Sequence, residues 1–275
     1  MKRVPLSSSV LLFGLFLACG DPLGKGWLVE RPRVLGARSS VATDDARATP
    51  APGEKVFVDW LVGAPGPLPR LGTSFVACVA PEGTYPEPRC EAPIASASVL
   101  HEGDAPIRFE LTMPDAREVL VLGAFCEGDA ASLEPRAFVA TCSNGAEPIL
   151  ATASVKGSAQ GTNLNPPLAE DAVRFDGAIL AKTGPAPCVA KDSPHTFAVA
   201  LGDREPGETL LLSHIVNGGK LGRQFSALEP DEAPRTITIP WTAPTTAGPT
   251  VAIWFVLRDG RGGTTFERRE ICVRD

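Results

Sequence analysis

The 275-residue chain has 32 acidic and 26 basic side chains, which give a net charge of −6 with histidine neutral. A mildly acidic surface argues against nucleic acid as a partner. Apolar residues make up 44% of the chain, enough for a packed core, and the 27 glycines and 27 prolines are typical turn residues between short strands. The length fits two domains near the common size of roughly 100–150 residues.

The N-terminus has the pattern of an export signal. Lys2 and Arg3 precede an apolar run over residues 6–18 that is too short to span a bilayer, and Cys19 follows it. The residues Phe16-Leu17-Ala18-Cys19 resemble the lipobox of bacterial lipoproteins. That resemblance implies that residues 1–18 are removed as a signal peptide and that Cys19 is lipidated. The alternative is an ordinary signal peptide with an incidental cysteine.

Lipidation would attach the protein to a membrane, because more than one acyl chain gives stable anchoring. We therefore expect an exported protein anchored through Cys19. By the same resemblance, Gly20 after the cysteine favours the outer membrane, on its periplasmic or surface face. Residues 19–28 are predicted to be a short tether, so the first domain is expected to lie close to the bilayer.

Strand-length segments separated by turn residues follow the tether. Residues 107–113 show the clearest alternation, with Ile107, Phe109, Leu111 and Met113 on one predicted buried face. The other predicted strands of this series are residues 33–38, 55–62, 74–80, 119–126, 137–142 and 149–155. A small and polar stretch at residues 156–161 marks the expected domain boundary.

A second series of short strands follows the boundary, and no long segment has a helical period. Its predicted strands are residues 173–181, 196–201, 208–216, 224–228, 235–239, 251–258 and 264–273. Regular short strands with frequent turns indicate an all-β fold of two tandem immunoglobulin-like antiparallel β-sandwiches. The expected division is a signal peptide over 1–18, the lipidated cysteine and tether over 19–28, and sandwiches over 29–156 and 157–275.

Six cysteines remain after Cys19, and an even number in an exported chain implies disulfides. Proximity and the domain division favour three pairs, with Cys78 joined to Cys126 across two strands as the main alternative. The favoured pairs are Cys78 with Cys90, Cys126 with Cys142, and Cys188 with Cys272.

The end of the chain resembles the last strands of bacterial immunoglobulin-like and PKD-like modules. The residues that carry the resemblance are Pro240-Trp241-Thr242-Ala243-Pro244, Gly248, the apolar strand over 251–257, the turn over 258–263 and Ile271-Cys272-Val273. Asp-Gly and Gly-Gly tolerate the positive φ of a tight hairpin turn. Together with Asn163, Asn165 and Pro166, the second half also resembles uncharacterised bacterial lipoproteins, which bring no known activity.

The candidates for catalysis are weak, and we expect neither a catalytic site, nor a metal, nor a cofactor. His101 lacks the second histidine of a zinc-protease motif, His195 is expected to be exposed, and His214 is expected to be buried and hydrogen-bonded. Asp259 is interpreted as a turn residue. The charged stretch 267–270 is interpreted as an edge strand protected by charge.

We therefore predict a non-enzymatic envelope protein that acts as an interaction, adhesion or structural module, with the membrane and an envelope or cell-surface protein as partners. A carbohydrate- or ligand-binding module is the first alternative. It would require exposed aromatic rings or a polar cleft between the domains. A hydrolase is the second and would require a cluster of titrating groups in a pocket.

Overall fold

The structure is a computed structural model that describes residues 25–81, 89–103, 105–230 and 236–275. In these ranges the chain forms strands and one short 3₁₀ turn, Ser158–Gln160, and no α-helix. The predicted all-β class of two tandem immunoglobulin-like sandwiches is confirmed. The predicted signal peptide and Cys19 lie outside the described residues.

Among the described residues, nine strands precede residue 157 and ten follow it. Those of the first sandwich are β1 Arg33–Val41, β2 Lys55–Gly63, β3 Leu71–Val79, β4 Ala95–His101, β5 Ile107–Thr112, β6 Glu118–Glu127, β7 Ala131–Glu134, β8 Val139–Cys142 and β9 Ile149–Lys156. Those of the second are β10 Leu168–Phe175, β11 Ala178–Ile179, β12 Cys188–Ala190, β13 Pro194–Leu201, β14 Leu210–Val216, β15 Lys220–Leu221, β16 Phe225–Leu228, β17 Thr236–Thr242, β18 Gly248–Arg258 and β19 Thr264–Arg274.

The first sandwich packs a sheet of order β1-β2-β5 against a sheet of order β4-β3-β6-β9. The predicted alternation in β5 is observed, since Ile107, Phe109 and Leu111 are buried while the residues between them face solvent. Trp60 lies at the centre of this core, stacked on Phe75 at 5.8 Å between ring centroids. Aromatic rings and β-branched side chains from both sheets therefore form one apolar core.

The second sandwich packs a sheet of order β11-β10-β13-β17-β15 against a sheet of order β12-β19-β18-β14-β16. Its core is centred on Trp241, Phe197 and Phe255. The short strand β12 runs parallel to the last strand and places Cys188 opposite Cys272. The other strand pairs in the two sheets are antiparallel, as expected for this architecture.

The three disulfides join the pairs favoured from the spacing of the cysteines. Two of them, Cys78–Cys90 and Cys126–Cys142, lie in the first sandwich, and Cys188–Cys272 closes the second. Disulfides persist in oxidising compartments, so these three bonds indicate an extracytoplasmic protein.

The N-terminal segment differs from the predicted tether over 19–28. Its described residues bond to the second sandwich: Val216 donates its N–H to Trp27 O at 2.8 Å, and Val29 donates to Val216 O at 2.8 Å. Trp27 and Leu28 pack against the core of that sandwich. The sequence offered no sign of this, because the partner strand lies almost two hundred residues further along the chain. Residues 27–29, where the predicted tether ends, are therefore packed on the second sandwich.

An apolar cluster joins the two sandwiches. Its buried members are Val29, Leu35, Leu61, Ile215, Ala252, Trp254 and Val256, with Phe266 packed against them. This cluster explains why β14 is apolar on both faces: Leu212 and Val216 face the core of the second sandwich, while Ile215 faces the first sandwich. Arg258 crosses the same interface, since its Nη2 donates to Leu35 O at 2.9 Å. The two sandwiches therefore share buried surface.

Candidate functional site

Polar side chains of the segment between β9 and β10 connect the two sandwiches. Asn163 donates from Nδ2 to Asp259 Oδ2 at 2.6 Å, and its backbone O accepts the N–H of Ala48 at 2.9 Å. Asn165 donates to Ser39 O and accepts the N–H of Thr264, each at 2.9 Å. These bonds are buried and hold one edge of the first sandwich to the β18–β19 turn of the second. They fix the relative orientation of the domains.

Asp259 is a turn residue, as predicted, and has this second role as well. Its Oδ1 accepts the N–H groups of Arg261 at 2.7 Å and Gly263 at 2.9 Å. The carboxylate is buried and surrounded by donors. No group of three or more metal-ligating side chains occurs in the described ranges.

The histidines lie in three separate places. His101 is at the end of β4, where Nε2 contacts Gly103 O at 3.0 Å. His214 is fully buried in β14, as expected, with Nδ1 3.2 Å from Arg223 O and Nε2 3.5 Å from Ser226 Oγ. Desolvation lowers the pKa of His214 to about 4. At neutral pH this ring is therefore neutral, donates from Nδ1 and accepts at Nε2.

His195 belongs to a Ser-His-Asp cluster that the sequence did not reveal. Ser193 Oγ lies 2.7 Å from His195 Nε2, and His195 Nδ1 lies 2.7 Å from Asp176 Oδ2. Asp176 has a positive φ of 47° in the turn before Gly177. This turn brings a carboxylate 19 residues away in the chain beside the start of β13. Proximity in sequence alone could not predict it.

The Ser193 hydroxyl lies within hydrogen-bond distance of two groups, Ala190 O and His195 Nε2. Which atom donates in the contact with Nε2 depends on the tautomer of the ring. His195 is also wedged between aromatic rings, 5.0 Å from Phe175 and 5.9 Å from Trp241 between centroids. The cluster is arranged to hold the ends of two strands together.

The charged stretch at residues 267–270 is not a free surface. Arg269 is buried, donates from Nε to Leu180 O at 2.8 Å and pairs with Glu267 at 2.7 Å. Arg268 pairs with Glu270 at 2.7 Å. The prediction of an edge strand protected by charge is confirmed for this stretch, because in the described ranges β12 pairs only with residues 272–274 of β19 and residues 267–270 pair with β18 alone.

Two open clefts accompany these features. One of about 590 Å³ lies beside β11, between Leu180, Pro185 and Arg268. The other, of about 470 Å³, lies at the domain junction between β1 and β9 and is lined by two arginines, Arg33 and Arg258. Both volumes fall in the range of ligand pockets, roughly 300–1,000 Å³. Trp60, Trp241 and Trp254 are buried, so these rings form no exposed platform for a sugar.

The strand β4 is an exposed edge strand of the first sandwich. Both of its faces are accessible: Val99 and Leu100 are each 46% exposed. Its sequence Ala-Ser-Ala-Ser-Val-Leu-His has no Asp, Glu, Lys, Arg or Pro that would discourage pairing with another strand. A groove of about 330 Å³ runs beside Val99 and Leu100, bounded by the β6–β7 turn.

The glycine at position 72 allows that turn to approach. A Cβ on Gly72 would lie 1.8 Å from Asp129 O, so only glycine permits the contact between β3 and the turn. The groove is therefore a product of backbone packing, and its wall is rigid.

Membrane attachment is not visible in the described residues. None of their helical segments is long or apolar enough to cross a membrane. Cys19 and the predicted signal peptide lie before Lys25, where the described structure begins.

No protein-family model matches the chain, and no curated protein sequence matches it. Among solved structures, red sea bream transglutaminase shares 13% identity over 90% of this chain and 32% of its own, with a TM-score of 0.27. Elastase-activated alpha-2-macroglobulin of Escherichia coli shares 12% identity over 89% of this chain and 22% of its own, with a TM-score of 0.30. A chimeric titin Z1Z2 tandem shares 14% identity over 89% of this chain and 100% of its own, with a TM-score of 0.26. The chain thus spans about a third of the transglutaminase and about a fifth of the macroglobulin. Similarities at this level assign no activity, substrate or partner to the chain.

Proposed function

We propose that the chain is a lipid-anchored, non-enzymatic protein of the bacterial cell envelope that binds a partner protein through β4. The anchor is Cys19, and the location is the outer membrane. Three features support the anchor: the export pattern of residues 1–18, the lipobox-like residues around Cys19, and the pairing of the six other cysteines in disulfides. Cys19 is the one cysteine that these three bonds leave over.

The observation that carries the interaction is the edge strand β4. An edge strand presents backbone N–H and C=O groups that can pair with an extended segment of another chain. Edge strands are often protected by charge, but β4 contains no Lys, Arg, Asp or Glu. At the opposite edge of the same sheet β9 lies against β1 of the neighbouring sheet, and β4 has a smaller contact with β5 of that sheet. Val99 and Leu100 add apolar contacts, and the adjacent groove can receive a side chain of the partner.

The non-enzymatic character is supported by the surroundings of the histidines. His214 is buried in the core, and His101 contacts a backbone carbonyl. His195 lies between the rings of Phe175 and Trp241, and its Ser-His-Asp cluster lines neither the cleft beside β11 nor the cleft at the domain junction. A hydrolase needs its titrating groups in a pocket that can hold a substrate.

The docking role is tested by photo-cross-linking in intact cells, with the photoreactive residue at the exposed position Ser98. We expect one discrete cross-linked protein. A Val99→Lys substitution places a charge on the edge and should abolish the product, because a lysine there disfavours strand addition. Leu150→Lys is the matched control: Leu150 is 39% exposed on β9, the other edge of the same sheet, and its substitution should leave the product intact. Equal yields from both variants would refute docking at β4.

The anchor is tested separately. Wild-type protein should be labelled by palmitate and recovered in the membrane fraction, and Cys19→Ala should lose both properties. A Cys19→Ala protein that still partitions with membranes would overturn the lipid anchor.

A further inference from the structure

The chain enters the described structure along one edge of the second sandwich. β16 pairs with residues 210–213 of β14 and stops there. Beyond Ser213, Leu28 lies along the same edge of β14 and forms a parallel bridge with Val216. A Cβ placed on Gly26 would lie 3.5 Å from Gln224 Oε1, so the entering segment also touches the residue before β16. The entering segment and the start of β16 therefore form one continuous surface.

This surface, the entry edge, is defined by Lys25, Trp27, Arg223 and Phe225. Lys25 Nζ lies 5.6 Å from the ring centroid of Trp27, which is half-buried against the core. Phe225 is 52% exposed. It is the one aromatic residue among the exposed large apolar side chains of the described residues. Residues 25–28 and 220–227 contain three basic side chains and no carboxylate. Aromatic rings and cations thus lie together on an otherwise acidic protein.

The length of chain before this edge restricts what it can face. Six peptide steps separate Cys19 from Lys25, and at most about 3.6 Å per residue they reach roughly 20 Å. With the acyl chains of Cys19 in the hydrocarbon, Lys25 lies at or near the headgroups. Arg223 and Phe225 are held beside it by the pairing of residues 27–29 with β14.

We propose that the entry edge is the surface by which the protein rests on lipid headgroups, and this proposal rests on the lipid anchor at Cys19. Tryptophan and phenylalanine rings are favoured at the headgroup level, where their apolar bodies enter the interface. Lys25 and Arg223 meet the negatively charged lipid phosphates. The second sandwich is then the membrane-proximal domain, although it follows the first in the sequence.

The experiment uses the full lipidated protein in vesicles of phosphatidylethanolamine and phosphatidylglycerol that contain a lipid with a nitroxide at its headgroup. Trp60, Trp241 and Trp254 are at most 3% exposed, so Trp27 is the tryptophan that the nitroxide can reach. We expect tryptophan fluorescence to be quenched in the wild type and this quenching to disappear in Trp27→Phe. Lys25→Glu with Arg223→Glu should reduce it by at least half while the protein stays bound.

A second tryptophan, placed on the opposite side of the same sandwich, is the control for quenching that does not depend on the entry edge. Ile179 is 50% exposed on β11, and β11 and β15 form the two edges of one five-stranded sheet. Four spacings of about 4.8 Å place β11 roughly 19 Å from β15. One residue, Gly222, separates β15 from Arg223 of the entry edge. In the Trp27→Phe background, Ile179→Trp should report no quenching. Near-ultraviolet circular dichroism confirms that each variant is folded.

Vesicle flotation separates the two proposals. If the wild type fails to float with the vesicles, the lipid anchor fails. If it floats but Trp27 is not quenched, or if Ile179→Trp is quenched equally, the entry edge is not the contact surface and the anchor stands.

Discussion

The free energy of unfolding is expected to fall by about 3 kcal/mol between pH 6.5 and pH 4 through one side chain, His214. Desolvation lowers the pKa of this buried ring from 6.5 to about 4 in the folded state. The unfolded chain therefore binds a proton in this window while the folded chain does not. Stability from His214 is fully present above pH 6.5 and is lost as the pH falls to about 4.

Two carboxylates with lowered pKa values affect the stability of the protein in a lower pH range than His214 does. The Arg38 guanidinium holds the pKa of Asp45 below its usual value, and Arg47 does the same for Glu54. Their contributions are present above the ordinary carboxyl pKa and are lost only as the pH falls below it. The decline attributed to His214 begins about two pH units earlier.

Urea unfolding at a series of pH values between 7 and 4.5 measures the effect. A His214→Gln variant removes the titrating group but keeps an amide that can donate to Arg223 O. It should be less stable at pH 7 and almost independent of pH across the window. His101→Gln, at the accessible end of β4, is the control and should keep the wild-type slope. A wild-type slope in His214→Gln would contradict the assignment.

Trp254→Ala is expected to destabilise the protein by about 3–5 kcal/mol and to uncouple the two sandwiches. Trp254 is 3% exposed and belongs to the cluster between the sandwiches, together with Leu35 of β1. Although Trp254 belongs to β18 of the second sandwich, its ring is buried at the domain interface. Removing its ring leaves a cavity between the domains and weakens the contact on both sides.

A double-mutant cycle with Leu35→Ala measures this coupling. The two positions lie on different sandwiches, so independent domains would give additive losses of stability. A shared cluster gives a coupling energy of about 0.5–3 kcal/mol. Unfolding of the wild type should show a single transition, and Trp254→Ala should show two. Additive losses of stability, together with a single unfolding transition in Trp254→Ala, would show that this cluster does not couple the two sandwiches.

The regular parts of the fold could be predicted from the sequence. Alternation identified β5, and apolar runs between turn residues identified β3, β6, β14 and β18. β4 was missed because its alanines and serines give no contrast between faces, and it is exposed on both. β12 was missed because three residues are too few for a periodic pattern.

The candidate sites were harder to predict for a physical reason. Asp176 reaches His195 only through a turn with positive φ, and Trp27 reaches Val216 from the other end of the chain. Local patterns carry no information about such pairings, since they depend on how whole sheets pack. The cysteines were an exception. Two pairs close short loops at low entropic cost, and Cys188–Cys272 is the pair left within the second domain.

The pairing of residues 27–29 with Val216 has a consequence for the inheritance and the synthesis of this protein. The second sandwich is not a transferable module: a copied gene segment coding for residues 157–275 would lack the backbone partner of Val216 and the side chains of Trp27 and Leu28. The same pairing orders assembly in time. Residues 27–29 emerge early during export, and β14 follows almost two hundred residues later, so this edge of the second sandwich closes only when most of the chain has been delivered.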